Sequence, residues 1–141
     1  MFRTVITPRV SETDGVGHIN NTTIPIWFEA GRIEIFRMMT PDLSFRGWRA
    51  TIVSMQVEYV AQTYFGEDCV VETWIEKIGN KSFTIGERLL QRGAVCATGM
   101  AVYVNFDHSR QQSEEITGAL RAGLEKHLLP GGPAASAVTP R

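Results

Sequence analysis

The sequence predicts an α+β fold in which an antiparallel sheet packs against one long apolar helix. Two observations carry this prediction. Apolar residues recur at helical spacing from Thr22 to Met39, and four later segments with strand character follow one another through short turns. Strands joined by short turns pair in antiparallel fashion, and a helix this apolar must cover one face of the sheet.

Length and composition define the class of protein. With 141 residues, 43% hydrophobic and 21% charged, the chain suits one globular domain with a single core. The net charge of −1 excludes a broadly basic nucleic-acid binder.

Cys69 and Cys96 lie in apolar runs without metal-ligand spacing, so we expect two buried thiols and no metal. No segment has a signal-peptide pattern or membrane-spanning length, so we expect a cytoplasmic protein with neither membrane nor nucleic acid as a partner.

The predicted elements follow in chain order. A first strand falls in residues 3–10, and the apolar helix, residues 22–39, begins directly behind a polar loop and ends at Pro41. Strand patterns are predicted at residues 53–59, 69–78, 82–90 and 96–106. An amphipathic helix follows at 113–129 and completes a domain of residues 1–129. The Gly-, Pro- and Ala-rich residues 130–141 predict a disordered tail.

The polar loop before the helix, Glu12 to Asn21, is the candidate reaction centre. It combines the carboxylate of Asp14 with two glycines and the imidazole of His18. Glycine lets a backbone approach a ligand closely, and a helix start presents unpaired N–H groups that attract negative charge. An Asp followed by Gly is, however, more often a turn or capping residue. Taken alone, the loop leaves both interpretations open.

This loop and two later motifs resemble the hotdog-fold acyl-CoA thioesterases of the 4-hydroxybenzoyl-CoA thioesterase-like group. In that group a loop of the form Asp-x-x-Gly leads from the first strand into the central helix, as Asp14 to Asn21 does here. The segment Trp27-Phe28-Glu29-Ala30-Gly31-Arg32 is similar to the group's helix motif, and residues 77–84 are similar to its strand–turn–strand block. The resemblance covers about residues 5–106 and implies a five-stranded antiparallel sheet wrapped around a long central helix.

The resemblance also implies hydrolysis of an acyl-CoA thioester to a free acid and CoA, without a cofactor. Carried over by motif position, Asp14 is the nucleophile or general base, and the backbone N–H of Asn21 polarises the carbonyl. The chemistry agrees, because the thioester oxygen gains negative charge in the transition state and donors at a helix start stabilise it. The sequence does not separate the two roles of Asp14.

Other residues of the candidate site rest on weaker signals. His18 either orients water or the carbonyl, or hydrogen-bonds a backbone group near the helix start. Lys81 matches a basic position in the group's turn block, so Lys81 and the adjacent Asn80 are candidate CoA contacts, with Gly17 giving backbone access. Glu29 of the helix motif is expected to point into the sheet and brace it.

Two other functions remain open at this point. The chain could act on acyl-carrier-protein thioesters, or bind acyl-CoA in the same groove without turnover. A helix-on-sheet unit also leaves a sheet edge open, and a second copy would cover it. We therefore expect a homodimer or homotetramer.

Overall fold

The computed structural model describes residues 1–134. The first half contains β1 (Phe2–Ile6), α1 (Thr23–Ala30), α2 (Ile33–Met39) and β2 (Ala50–Tyr59). The second half contains β3 (Cys69–Ile78), β4 (Ser82–Gln91), β5 (Ala94–Asp107), β6 (Gln112–Ser113) and α3 (Gly118–Glu125). Short 3-10 turns lie at Val10–Glu12 and Phe45–Gly47.

The sheet is antiparallel and places β4 at its centre. Its strand order is β1-β3-β4-β5-β2, and the two-residue β6 extends it beside β5. The β4–β5 hairpin turns at Arg92 and Gly93, whose φ angles of 55° and 76° suit the tight turns that match strand twist. The prediction of five antiparallel strands around a central helix, the hotdog architecture, is confirmed, with β6 as an addition.

The central helix is broken, whereas the sequence predicted one continuous helix. It divides into α1 and α2 at Gly31 and Arg32. A Cβ on Gly31 would lie 2.6 Å from Val71 Cγ1 and 2.8 Å from Thr73 Oγ1. The helix backbone at Gly31 therefore packs directly against side chains of the sheet. The next residue, Arg32, turns into the core and is 1% exposed. Close approach and a buried guanidinium at adjacent positions explain the interruption.

The inward-facing carboxylate is not the one expected from the helix motif. Glu29 is exposed on α1, so the expectation that it points into the sheet is wrong. Glu87 of β4 is instead fully buried, and it pairs with Arg32. The helix therefore contributes the cation of this ion pair and the sheet contributes the anion.

The core consists of two apolar clusters on the concave face of the sheet. One packs α2 and α3 against the sheet around Ile35, Phe83 and Ile116. The other lies under the first turns of α1, around Ile24, Phe28 and Leu89. This second cluster supports the loop that contains Asp14, because Ile19 at the end of that loop is part of it.

The C-terminal part of the chain crosses from the helix layer to the sheet. Helix α3 is shorter at both ends than the predicted 113–129: Ser113 belongs to β6, and residues 126–129 lie beyond the end of α3. Beyond α3, the N–H of Leu129 donates to the carbonyl of Ile75 at 2.8 Å, and Gly132 packs on the indole of Trp74. Of the predicted tail, residues 130–134 lie along this path, and residues 135–141 fall outside the described part of the chain. Within residues 1–134, no helix has the length and apolarity needed to cross a membrane.

Candidate active site

The Asp14 loop is a tight hairpin built on two glycines. The N–H of Asp14 donates to the carbonyl of His18 at 2.8 Å, and Thr13 pairs with Ile19 as an antiparallel bridge. Gly15 and Gly17 have φ angles of 94° and 89°. Other residues rarely adopt this left-handed region, so the glycines allow the chain to reverse within five residues.

A segment after β2 holds this hairpin against the sheet. The N–H of Ile19 donates to the carbonyl of Thr63 at 2.8 Å, and the N–H of Phe65 donates to the carbonyl of Gly17 at 2.9 Å. The side chain of Gln91 in turn fixes this segment, because its amide bonds both the N–H and the carbonyl of Tyr64. The loop is therefore positioned by the end of the sheet on which it lies.

Glu12 ties the loop to α1, a role that the sequence analysis missed. Its carbonyl accepts from the N–H of Asn20 at 2.8 Å, and its carboxylate accepts from Trp27 Nε1 at 2.9 Å and from the N–H of Arg9 at 2.7 Å. Burial raises the pKa of Glu12, but the hydrogen bonds from Trp27 and Arg9 outweigh this and lower it below its ordinary value. The available signal was Trp27, since a buried indole N–H needs an acceptor.

Within residues 1–134, the backbone just before α1 presents an unpaired donor at Asn21. Asn20 braces the approach to the helix: its Oδ1 accepts from the N–H of Thr22 at 2.9 Å, and its carbonyl accepts from the N–H of Thr23 at 2.9 Å. Between these bonds, the N–H of Asn21 has no acceptor within residues 1–134. The carbonyl of Asn21 accepts from the Tyr59 hydroxyl at 2.7 Å. An unpaired N–H at a helix start suits a developing negative charge.

Asp14 and His18 lie side by side in the loop before α1. His18 Nδ1 is 3.5 Å from Asp14 Oδ2, and both side chains are about one-third exposed, at 34% and 36%. The other oxygen, Asp14 Oδ1, accepts from the N–H of Val16 at 3.0 Å. The imidazole also contacts the edge of the Tyr64 ring, with ring centroids 5.1 Å apart. Within residues 1–134, the His18 imidazole has no ion-pair partner other than Asp14.

A cavity of about 250 Å³ opens beside the start of α1. Its mouth carries Asp14, Asn21 and Gln62, and its inner wall is formed by nearly buried side chains: Ile19, Ile24, Thr63, Cys96 and Ala97. The carboxylate of Asp14 and the residue with the unpaired N–H, Asn21, thus lie at a cavity with a mainly apolar floor. Such a cavity can hold a small acyl group with its carbonyl carbon near Asp14 and its oxygen near the N–H.

The structure does not bring Asn80 and Lys81 to this cavity within one chain. They form the β3–β4 turn, where the carbonyl of Lys81 accepts from Asn105 and that of Asn80 from Ile116. Strand β4 runs from this turn to Gln91, a distance of roughly 30 Å at the usual rise per residue. Gln91 lies at the end of the sheet that carries the Asp14 loop. The predicted CoA contacts and the predicted catalytic residues therefore lie at opposite ends of the sheet.

Both cysteines are buried free thiols, as the sequence predicted. Burial raises the pKa of the Cys69 thiol to about 12, so it stays protonated at neutral pH. Cys96 contributes to the inner wall of the cavity. Within the described residues, no group of three or more His, Cys, Asp or Glu side chains is arranged to hold a metal ion.

Comparison with known proteins assigns the family. Residues 8–124 match the thioesterase-like superfamily, and the chain belongs to it. A predicted thioesterase from Bacillus stearothermophilus is 58% identical, with a TM-score of 0.90 over 93% of this chain and 98% of that one. The uncharacterized protein YsmA of Bacillus subtilis (strain 168) is 32% identical over 106 residues, 73% of this chain and 71% of YsmA.

A more distant solved structure shares the fold. A thioesterase from Thermus thermophilus, complexed with coenzyme A and Zn, has a TM-score of 0.77 at 23% identity, over 86% of this chain and 94% of that one. Family and structural neighbours together define this chain as a thioester hydrolase.

Proposed function

We propose that this chain hydrolyses acyl-CoA thioesters to a free acid and CoA, with Asp14 as the reacting carboxylate. The observation that carries the proposal is that Asp14 and Asn21 line the same cavity, and that the N–H of Asn21 has no acceptor within residues 1–134. CoA as the carrier is supported by the Thermus thermophilus thioesterase of the same fold, which was crystallised with coenzyme A.

The N–H of Asn21 is the proposed oxyanion donor. When a nucleophile adds to the thioester carbonyl, the oxygen takes the electron pair of the C=O double bond and becomes negative. A fixed backbone donor at the start of α1 stabilises that charge, and one such donor is typically worth about 10²–10³ in rate.

From this position Asp14 can act by either of two mechanisms of thioester hydrolysis. As a general base it takes a proton from water while the water oxygen bonds to the carbonyl carbon. The tetrahedral intermediate then expels the CoA thiolate, which takes up that proton. As a nucleophile, Asp14 bonds to the carbonyl carbon directly and expels the thiolate. Water then cleaves the mixed anhydride to the free acid and the Asp14 carboxylate, and its second proton passes to the thiolate. Both routes require the carboxylate to be ionised and correctly oriented.

His18 is the proposed orienting residue for Asp14. Its Nδ1 lies 3.5 Å from Asp14 Oδ2, while the N–H of Val16 holds Oδ1. These two contacts restrict rotation of the carboxylate. We place Gly17 in the same site through the loop backbone, since its positive φ is required to bring His18 beside Asp14.

The proposed CoA contacts require a second copy of the chain. Strand β2 is an edge strand with Ile52 and Val53 exposed by 45% and 60%. Antiparallel pairing of β2 with a two-fold-related β2 would place the beginning of one strand beside the end of the other. The end of the sheet that carries Asn80 and Lys81 would then lie near the other copy's cavity, and a homodimer or homotetramer would complete the site.

The test is a panel of acyl-CoA substrates that vary in chain length and include aromatic acyl groups. We expect turnover of at least one acyl-CoA, and faster turnover than of the same acyl group on acyl carrier protein. Free thiol release monitors both reactions. Faster turnover of the carrier-protein thioester would identify acyl-carrier-protein thioesters as the substrate class instead. No turnover of any acyl-CoA would overturn the proposal.

A further inference from the structure

We infer that Tyr59 is a positioning residue that holds the backbone of Asn21 in the orientation needed to bind the oxyanion. This inference rests on the proposed function, because it assigns a role in the same reaction. Tyr59 is the last residue of β2, and it is separated from Asn21 by 38 positions in the sequence. Its hydroxyl donates to the carbonyl of Asn21 at 2.7 Å, and its side chain lines the same cavity as Asp14.

Hydrogen bonds fix both peptide planes around Asn21. Peptide groups are planar, so the N–H of Asn21 lies in the plane of the Asn20–Asn21 peptide, and the φ and ψ of Asn21 fix this plane relative to the Asn21–Thr22 peptide. The preceding plane is held through the carbonyl of Asn20, which accepts from the N–H of Thr23 at 2.9 Å. The following plane is held at one end by Asn20 Oδ1, which accepts from the N–H of Thr22. Tyr59 holds its other end, the carbonyl of Asn21.

The hydroxyl of Tyr59 acts through Asn21 rather than on the substrate. A phenol has one proton to donate, and this proton is engaged by the Asn21 carbonyl. Tyr59 is also 37% exposed, so its hydroxyl has water as an alternative partner and loss of this bond should change the folding free energy little. The bond therefore matters more for the geometry of the helix start than for the stability of the fold.

The test compares two Tyr→Phe variants that each lose a single hydroxyl. In Tyr59→Phe we expect kcat to fall about three- to tenfold, with KM and the melting temperature nearly unchanged, since one ordinary hydrogen bond supports the donor. Tyr103→Phe is the matched control, because its buried hydroxyl accepts from Arg32 Nη1 at 3.0 Å, away from the cavity. This control should lower the melting temperature and leave kcat unchanged.

A second readout follows the donor itself. In 15N-labelled protein, the amide signals of Asn21 and Thr22 should shift in Tyr59→Phe and stay in place in Tyr103→Phe. A rise in KM at constant kcat in Tyr59→Phe would show that Tyr59 contacts the substrate directly. An unchanged kcat together with unmoved amide signals would show that Tyr59 has no role in the reaction. Either result would overturn the inference. Wild-type protein without any acyl-CoA turnover would instead overturn the proposed function, and this inference with it.

Discussion

Arg32 and Glu87 form a buried ion pair where the central helix is interrupted. Arg32 donates from Nε to Glu87 Oε2 at 3.0 Å, and from Nη2 to the other carboxylate oxygen. A third donor, Nη1, bonds the Tyr103 hydroxyl. Burial raises the pKa of Glu87, and the guanidinium opposes this effect. Each charge is tolerated in the core because the other compensates it.

Replacing only one partner of this pair should therefore be costly. We expect Arg32→Met to lower the free energy of unfolding by about 3–5 kcal/mol at pH 7, because it leaves Glu87 buried and uncompensated. The pKa of Glu87 then lies well above its ordinary value, so the folded state binds a proton more tightly than the unfolded state. The deficit should shrink as the pH falls from neutrality towards the ordinary carboxyl range, and level off below it.

Urea unfolding at several pH values measures this deficit. The double variant Arg32→Met/Glu87→Leu removes both charges, and should recover most of the stability at pH 7 and show no such pH dependence. A double variant no more stable than Arg32→Met would refute the ion-pair account.

At the residue scale, the sequence indicates a candidate site more readily than it indicates a buried charge. Asp14 stands out because glycines and a helix start surround it within a few positions. Glu87 does not stand out, since Glu87 and Arg88 look like an ordinary charged pair on a strand, and only the fold brings Arg32 onto Glu87. The helix motif drew attention to Glu29, which is exposed, because a motif does not specify which way a helix is rotated against its sheet.

The contact between the central helix and the sheet depends on Gly31. A Cβ at this position would overlap Val71 Cγ1 and Thr73 Oγ1. We expect Gly31→Ala to cost about 1–3 kcal/mol in unfolding free energy, because α1 must move off the sheet or the strand side chains must shift. Thermal and urea unfolding measure this cost.

Gly47→Ala provides the matched control for this helix–sheet contact. A Cβ there meets no atom within 4 Å, and Gly47 does not need a positive φ. Its effect should stay within about 0.5 kcal/mol. Equal effects of the two substitutions would show that the close approach at Gly31 does not matter.

At the element scale, the strands were predictable and the helix interruption was not. Turn residues such as Gly79 and Arg92-Gly93 delimit the strands, and β3 begins and ends where the sequence predicted. The apolar spacing continues through Gly31 and Arg32 without a gap, so periodicity alone gives one helix. The break follows from tertiary contacts, namely a backbone approach and a buried ion pair, that have no local sequence signal.

At the scale of the whole molecule, β2 is the edge proposed to meet a second copy. Val53 lies at a bulge in the middle of this strand and is 60% exposed. We expect a dimer or tetramer in solution, and we expect Val53→Lys to shift it towards monomer, because a charge on an edge strand opposes strand pairing. Sedimentation equilibrium at micromolar concentration measures the mass.

Val10→Lys is the control for this substitution. Val10 is 70% exposed and lies in the 3-10 turn after β1, so a lysine there adds the same charge away from β2. The control should keep the oligomeric mass of the wild type. A monomeric wild type, or a Val53→Lys variant that remains oligomeric, would refute pairing through β2.

The most direct test of the account is the rate of acyl-CoA hydrolysis by Asp14→Asn beside Asp42→Asn. The two residues are closely matched, because each carboxylate accepts from the N–H two residues further on, at 3.0 Å. Asp42 lies after α2, whereas Asp14 borders the cavity. We predict that Asp14→Asn lowers kcat by about 10²–10⁴ while Asp42→Asn stays at the wild-type rate. Turnover by Asp14→Asn within about twofold of wild type would contradict the central role of this carboxylate.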